Sequence, residues 1–102
     1  MASWLDIAVD FGAPVYATAA GTIEQAGWNG GYGRYVRINH GNGYETAYGH
    51  MSGIAVAAGQ KVIKGEIIGF VGSTGYSTGP HIHYEVLADG QNIDPFYVLK
   101  NK

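Results

Sequence analysis

The stretch Tyr35-Val36-Arg37-Ile38-Asn39-His40-Gly41-Asn42-Gly43-Tyr44-Glu45-Thr46-Ala47-Tyr48-Gly49-His50 is two strand-forming arms around one tight turn. Asn42-Gly43 supplies the positive-φ positions that a two-residue hairpin demands, and both arms are rich in the β-branched and aromatic residues that suit a pleated surface. Side chains alternate along a strand, so Tyr44, Thr46, Tyr48 and His50 are predicted to share one face, with His50 ending it.

Outward from this hairpin the pattern remains one of short strands and turns. Upstream, Leu5-Asp6-Ile7-Ala8-Val9-Asp10 alternates with period two, which directs Leu5, Ile7 and Val9 to a core and Asp6, Ala8 and Asp10 away from it. Phe11-Gly12-Ala13-Pro14 turns the chain into Val15-Tyr16-Ala17-Thr18, and Ala20-Gly21 turns it into Thr22-Ile23-Glu24-Gln25-Ala26. Trp28-Asn29-Gly30-Gly31-Tyr32-Gly33 is too rich in glycine for a strand and reads as a surface loop whose rings line a groove. Downstream, Ile54 to Val71 consists of apolar pairs separated by glycine turns. The run Gly72-Ser73-Thr74-Gly75-Tyr76-Ser77-Thr78-Gly79-Pro80 then leads into His81-Ile82-His83-Tyr84-Glu85. On a strand, His81, His83 and Glu85 share one face, and Ile82, Tyr84 and Val86 the other. Ala88-Asp89-Gly90 makes a turn, and Asp94-Pro95-Phe96 leads into a short C-terminal segment.

The 102 residues, 46% of them hydrophobic, suffice for one domain with a modest core. Seventeen glycines and thirteen aromatic residues, without long helix-forming stretches, argue for strands joined by tight turns. The expected fold is therefore all-β: a small, mostly antiparallel sheet or sandwich with long glycine-rich loops around an open groove. A formal charge of −2, with no basic run, gives no means of neutralising phosphates, so nucleic acid is not an expected partner. No window is long and apolar enough for a membrane span, and the first residues lack the form of an export signal. There is no cysteine, so any metal would be held by histidine and carboxylate.

The histidine pair is the chief chemical feature. Positions two apart on a strand are roughly 7 Å apart, which lets one imidazole bind a metal while the other reaches a water beside it. Each residue also has an ordinary explanation: His81 and His83 as a polar strand face, Asp6 as an exposed carboxylate, His50 as the end of a strand. His40 lies in the hairpin, which accounts for it, and it is left out of the chemistry. Glu85 orients a ring or is solvated. Tyr32, Tyr48 and Tyr76 divide between packing and groove walls, and Asp10 is on the face of Asp6, two same-side positions further along.

Four stretches, in order, give the chain its resemblance: Leu5-Asp6-Ile7-Ala8 with Gly12-Ala13-Pro14-Val15-Tyr16-Ala17; Gly31-Tyr32-Gly33; Tyr48-Gly49-His50-Met51; and Gly72-Ser73-Thr74-Gly75 continuing to His81-Ile82-His83. From Asp6 to about Leu99 the chain resembles the lysostaphin-type family of zinc metalloendopeptidases, which cut the peptide part of bacterial peptidoglycan. The resemblance implies the same all-β fold, zinc as cofactor, and Asp6 and His83 as metal ligands. It also implies that His50 and His81 sit beside the attacking water and the developing oxyanion, as general base and electrostatic stabiliser in an order the motif leaves open. The substrate implied is a peptidoglycan peptide, which places the site of action outside the cytoplasm, with an export signal upstream of this chain.

One position departs from the family pattern. Ala2 stands where the first zinc-binding His of a His-x-x-x-Asp motif belongs, and Trp4 where a glycine is usual. A catalytic zinc normally has three protein ligands, so Asp6 and His83 alone leave the set one short and zinc weakly bound or absent. Residues 1–102 are thus expected to form a single lysostaphin-type domain without the family's N-terminal segment. Two alternatives to a working endopeptidase follow: an inactive family member that binds peptidoglycan or regulates, or a histidine phosphocarrier-like domain, suggested by the Val-x-x-Gly rhythm of Val56 to Ile68.

Overall fold

The computed structural model describes residues 4–74, 79–89 and 91–93, and for residues 4–8, 81 and 91–93 it describes the backbone. Ala2, Tyr76 and Asp94-Pro95-Phe96 therefore lie outside the described residues. Among the described residues nine strands follow in order: β1 (Trp4–Ala8), β2 (Pro14–Tyr16), β3 (Gly21–Trp28), β4 (Arg34–Gly41), β5 (Tyr44–Ile54), β6 (Lys61–Val62), β7 (Ile67–Val71), β8 (His81–Ala88) and β9 (Gln91–Ile93). A single 3-10 turn, Gly30–Tyr32, joins β3 to β4, and no α-helix occurs among the described residues. The strands form one antiparallel sheet in the order β1-β8-β5-β4-β3-β6, with β7 joining β5 to β2 and β9 lying on β8. The all-β expectation holds.

The central hairpin is β4 and β5. Asn42 and Gly43 have φ of 54° and 79°, the left-handed values that the sequence pattern requires there. β5 runs on to Ile54 and so borders β4, β7 and β8. The main core lies on one face of the curled sheet, where Ile23, Val36, Ile38, Tyr48, Met51, Ile68, Val71 and Val86 are almost wholly buried. Ile82 and Tyr84 join that core from β8, as the alternation of the strand predicts. On the opposite face Tyr35, Ala47 and Leu87 form a small second cluster, with Tyr32 packed against it.

Two sequence readings are corrected. β3 continues through Gly27 and Trp28, because the last residues pair with Tyr35 and Arg34 of β4, so only residues 29–33 form the loop. His50 also neither ends its strand, which runs on to Ile54, nor shares the face of Thr46 and Tyr48. Tyr48 pairs with Val36, whereas Met51 pairs with Arg34, so β5 has one residue more than β4 between these pairs. Both Tyr48 and Met51 point into the main core, and the bulge between them, with His50 at φ 60°, turns the imidazole to the other face.

His40 is structural, as its place in the hairpin suggested. Its Nδ1–H donates to the Ala20 carbonyl (2.8 Å), so neutral Nε2 accepts from the Thr46 hydroxyl (2.6 Å). Tyr48 then donates to Thr46 (2.8 Å), and Thr18 links Tyr48 (2.9 Å) to Tyr84 (3.2 Å). This chain satisfies hydroxyls that would otherwise be costly beneath the sheet.

Burial raises the Tyr84 phenol from 10.0 to about 12 and the Tyr48 phenol in the same direction. The folded state therefore retains a proton that the unfolded chain releases. The resulting stability is complete below the unfolded value of 10.0 and is lost as pH climbs to about 12. Urea denaturation at a series of alkaline pH values should show the midpoint falling through this window, and Tyr84→Phe should make the fall shallower.

Candidate active site

β8 is hydrogen-bonded on both sides, to β1 and to β5, and this sets the site. Across the three strands Asp6, His83 and Gly49 are register partners. Directly opposed residues of an antiparallel pair have Cα atoms about 4.5–5.5 Å apart, so the carboxylate-bearing and imidazole-bearing positions are immediate neighbours. His81, at the start of β8, is opposite Ala8.

The ring of His83 stands on the face away from the main core. Its Nε2 lies 2.9 Å from Glu85 Oε1, and a carboxylate only accepts, so Nε2 bears a proton and, in the neutral ring, Nδ1 carries the lone pair. Glu85 is 5% exposed, and such a buried carboxylate requires donors. It has a second one: Tyr32 OH donates to the same Oε1 at 2.8 Å. The Tyr32 ring also lies against His83, with centroids 5.3 Å apart. Burial, and then the hydrogen bond to Glu85, push the Tyr32 phenol up to about 12, so it remains a donor through the neutral range.

His50 meets His83 edge to face, with ring centroids 5.7 Å apart and planes at 74°. Its Nδ1 donates to the Thr74 carbonyl (2.7 Å), which puts the lone pair of the neutral ring on Nε2. The two rings are therefore held in opposite tautomers: His83 with its basic nitrogen at Nδ1, His50 with its basic nitrogen at Nε2. Thr74 is itself held, since its hydroxyl donates to Met51 O (2.6 Å) and accepts from Arg34 N–H (3.1 Å).

Two glycines make this assembly possible. At Gly33, φ is 67° and a methyl group would overlap the Thr74 carbonyl and lie 2.6 Å from its Oγ1. At Gly49 a methyl would lie 3.2 Å from Tyr32 O and 3.5 Å from His83 Cβ, so glycine lets the Gly30–Tyr32 turn settle beside His83. The glycine of Tyr48-Gly49-His50 and the second glycine of Gly31-Tyr32-Gly33 thus acquire a physical reason.

Of the four residues expected to carry the chemistry, the structure brings together His50 and His83 by their rings and Asp6 with His83 by strand register. His81 is placed by its backbone two positions before His83 on β8. Glu85 proves to be the partner of His83, one of the two outcomes its face allowed. Tyr48 belongs to the main core and Tyr32 to the site. Asp10 is exposed beyond the end of β1. Thr74 was missed: it stood in the glycine-rich lead-in, and nothing local indicates that its carbonyl meets a histidine 24 residues earlier.

Among the described residues there is no group of three or more His, Cys, Asp or Glu side chains placed to hold a metal, and the side chains of Asp6 and His81 are not among those described. Neutral imidazole and carboxylate nevertheless form a donor set suited to zinc, and a histidine whose second nitrogen rests on a carboxylate is the usual form of a metal-binding imidazole.

Residues 2–95 match Peptidase family M23. The chain is 52% identical over 94 residues to the DD-carboxypeptidase/endopeptidase Mpg of Neisseria meningitidis, a match that covers 92% of this chain and 22% of that protein. This chain thus spans about a fifth of the length of the curated relatives it matches. Among solved structures, the catalytic domain of the antimicrobial peptidase lysostaphin from Staphylococcus simulans superposes with a TM-score of 0.90 at 36% identity, over 98% of this chain and 80% of that one. A zinc-containing peptidase from Vibrio cholerae superposes with a TM-score of 0.87 at 39% identity, over 90% of this chain and 28% of that one. With a family match across nearly its whole length and a solved peptidase sharing its curled sheet, this chain belongs to Peptidase family M23.

Proposed function

We propose that this domain is a peptidoglycan-directed zinc metalloendopeptidase that hydrolyses peptide bonds of stem or bridge peptides outside the cytoplasm. One observation carries the reading: Asp6 and His83 are register partners on neighbouring strands, with the ring of His50 against that of His83. The family, and relatives named as endopeptidases of peptidoglycan such as ShyA of Vibrio cholerae, support the substrate class.

In this reading Asp6 would hold zinc through its carboxylate and His83 through Nδ1, since Nε2 is committed to Glu85. Zinc held there would supply Lewis-acid polarisation of the scissile carbonyl and acidify the attacking water. Glu85 keeps the His83 ring in the tautomer that presents Nδ1. His50, with its lone pair on Nε2, and His81 share proton transfer and stabilisation of the oxyanion. The loop at Gly30–Tyr32 borders these rings and forms one wall of the groove for an extended peptide.

A second reading is favoured by one residue. Ala2 supplies no ligand where the family motif has a histidine, and a domain holding zinc through only two side chains acts as a peptidoglycan-binding or regulatory module rather than as an enzyme. Membership in the peptidase family removes the ground for a phosphocarrier, which leaves Asp6 and His50 without a role.

Zinc content and cleavage of purified peptidoglycan decide between the first two. The endopeptidase reading expects chelator-sensitive release of peptide and metal binding that tightens in Ala2→His. A parent protein with no cleavage, joined by an Ala2→His variant that gains neither metal nor activity, would reject the ligand assignment. Glu85→Gln should weaken zinc binding by about 10- to 100-fold, because it disturbs the group that orients His83, and competition with a chromogenic chelator measures it.

A further inference from the structure

We propose that Tyr32 is a positioning residue, and that the turn carrying it clamps both imidazoles of the site. The inference rests on the metallopeptidase reading for its consequence in zinc binding, but its geometry stands apart from it. At the C-terminal end of the turn, Tyr32 OH and His83 Nε2 share a single oxygen, Glu85 Oε1, at 2.8 and 2.9 Å. The next residue, Gly33, lies against the backbone of Thr74, whose carbonyl takes the Nδ1–H of His50 at 2.7 Å. Two adjacent residues therefore reach two rings through one intermediary each.

The turn has little internal freedom. Gly33 N–H donates to Gly30 O (3.1 Å), Tyr32 N–H to Asn29 O (3.0 Å) and Asn29 N–H to Gly33 O (2.8 Å), so both ends are tied to each other. The Tyr32 ring is also held between Tyr35, with centroids 5.0 Å apart, and His83. A displacement of Tyr32 is thus shared by Gly33. Tyr32 OH on the same oxygen adds a restraint on where Oε1 sits, and through it on the imidazole that donates to it.

The test removes one hydroxyl and keeps the ring. In the zinc-free protein, the ring nitrogens of His50 and His83 are followed by long-range proton–nitrogen NMR in the parent, Tyr32→Phe and Gly33→Ala. Tyr32→Phe should move the His83 nitrogens toward a mixture of tautomers, weaken zinc roughly several-fold, below the change expected for Glu85 itself, and lower kcat with KM little altered. Gly33→Ala should move the His50 nitrogens. If ring packing alone positions His83, Tyr32→Phe will match the parent in both spectrum and zinc affinity, and the proposal falls. Should Gly33→Ala fail to fold, Tyr32→Phe decides by itself. A parent protein that takes up no zinc would defeat the metallopeptidase reading, while the spectra of the metal-free proteins would still uphold or overturn the clamp.

Discussion

Strand β8 has hydrogen-bonded neighbours on both edges, so neither of its faces is free to turn, and successive side chains are committed to opposite sides of the sheet. Ile82, Tyr84 and Val86 go to the main core, while His83 and Glu85 go to the far face. A one-residue slip would place imidazole and carboxylate in the core and isoleucine and tyrosine in the groove. Packing on one side therefore holds the chemistry in register on the other. The hydrogen-bond chain through His40, Thr46, Tyr48, Thr18 and Tyr84 reinforces the same register from beneath, since each hydroxyl has its partner only when β4, β5 and β8 are correctly aligned.

Two departures from regular strand geometry complete the site. A regular β5 would carry His50 into the core beside Tyr48; the extra residue between Tyr48 and Met51, with a left-handed His50, turns the ring outward to meet His83. Glycine at positions 33 and 49 then admits close backbone contact, from Thr74 in one case and from the Tyr32 turn in the other. Strain at His50 is tolerated because its neighbours over-determine it: Met51 is buried on one side, Tyr48 on the other, and Thr74 O holds the imidazole.

Buried Glu85 shows how a polar group is accommodated on the sheet. At 5% exposure its carboxylate has lost most of its hydration, and the hydrogen bonds from Tyr32 and His83 replace water. The small cluster of Tyr35, Ala47 and Leu87 provides the apolar surround on that face. Low local polarity strengthens both hydrogen bonds, which favours a single arrangement of the rings over an ensemble.

Local chemistry made much of this protein legible in advance. Asn42-Gly43 specifies a hairpin through its left-handed φ values, period-two alternation separates Ile82 and Tyr84 from His83 and Glu85, and the ordered motifs around Asp6, His50 and His83 point to a peptidase family. Those are properties of residues near one another in the chain. Only the tertiary structure decided that His50 leaves its predicted face, that Glu85 is the carboxylate on His83, and that Tyr32 and Thr74 serve the same pair of rings. The reason is one of reach: a bulge is defined by the register against a partner strand, and the Tyr32–Glu85 and His50–Thr74 hydrogen bonds join residues 53 and 24 positions apart, beyond any local pattern.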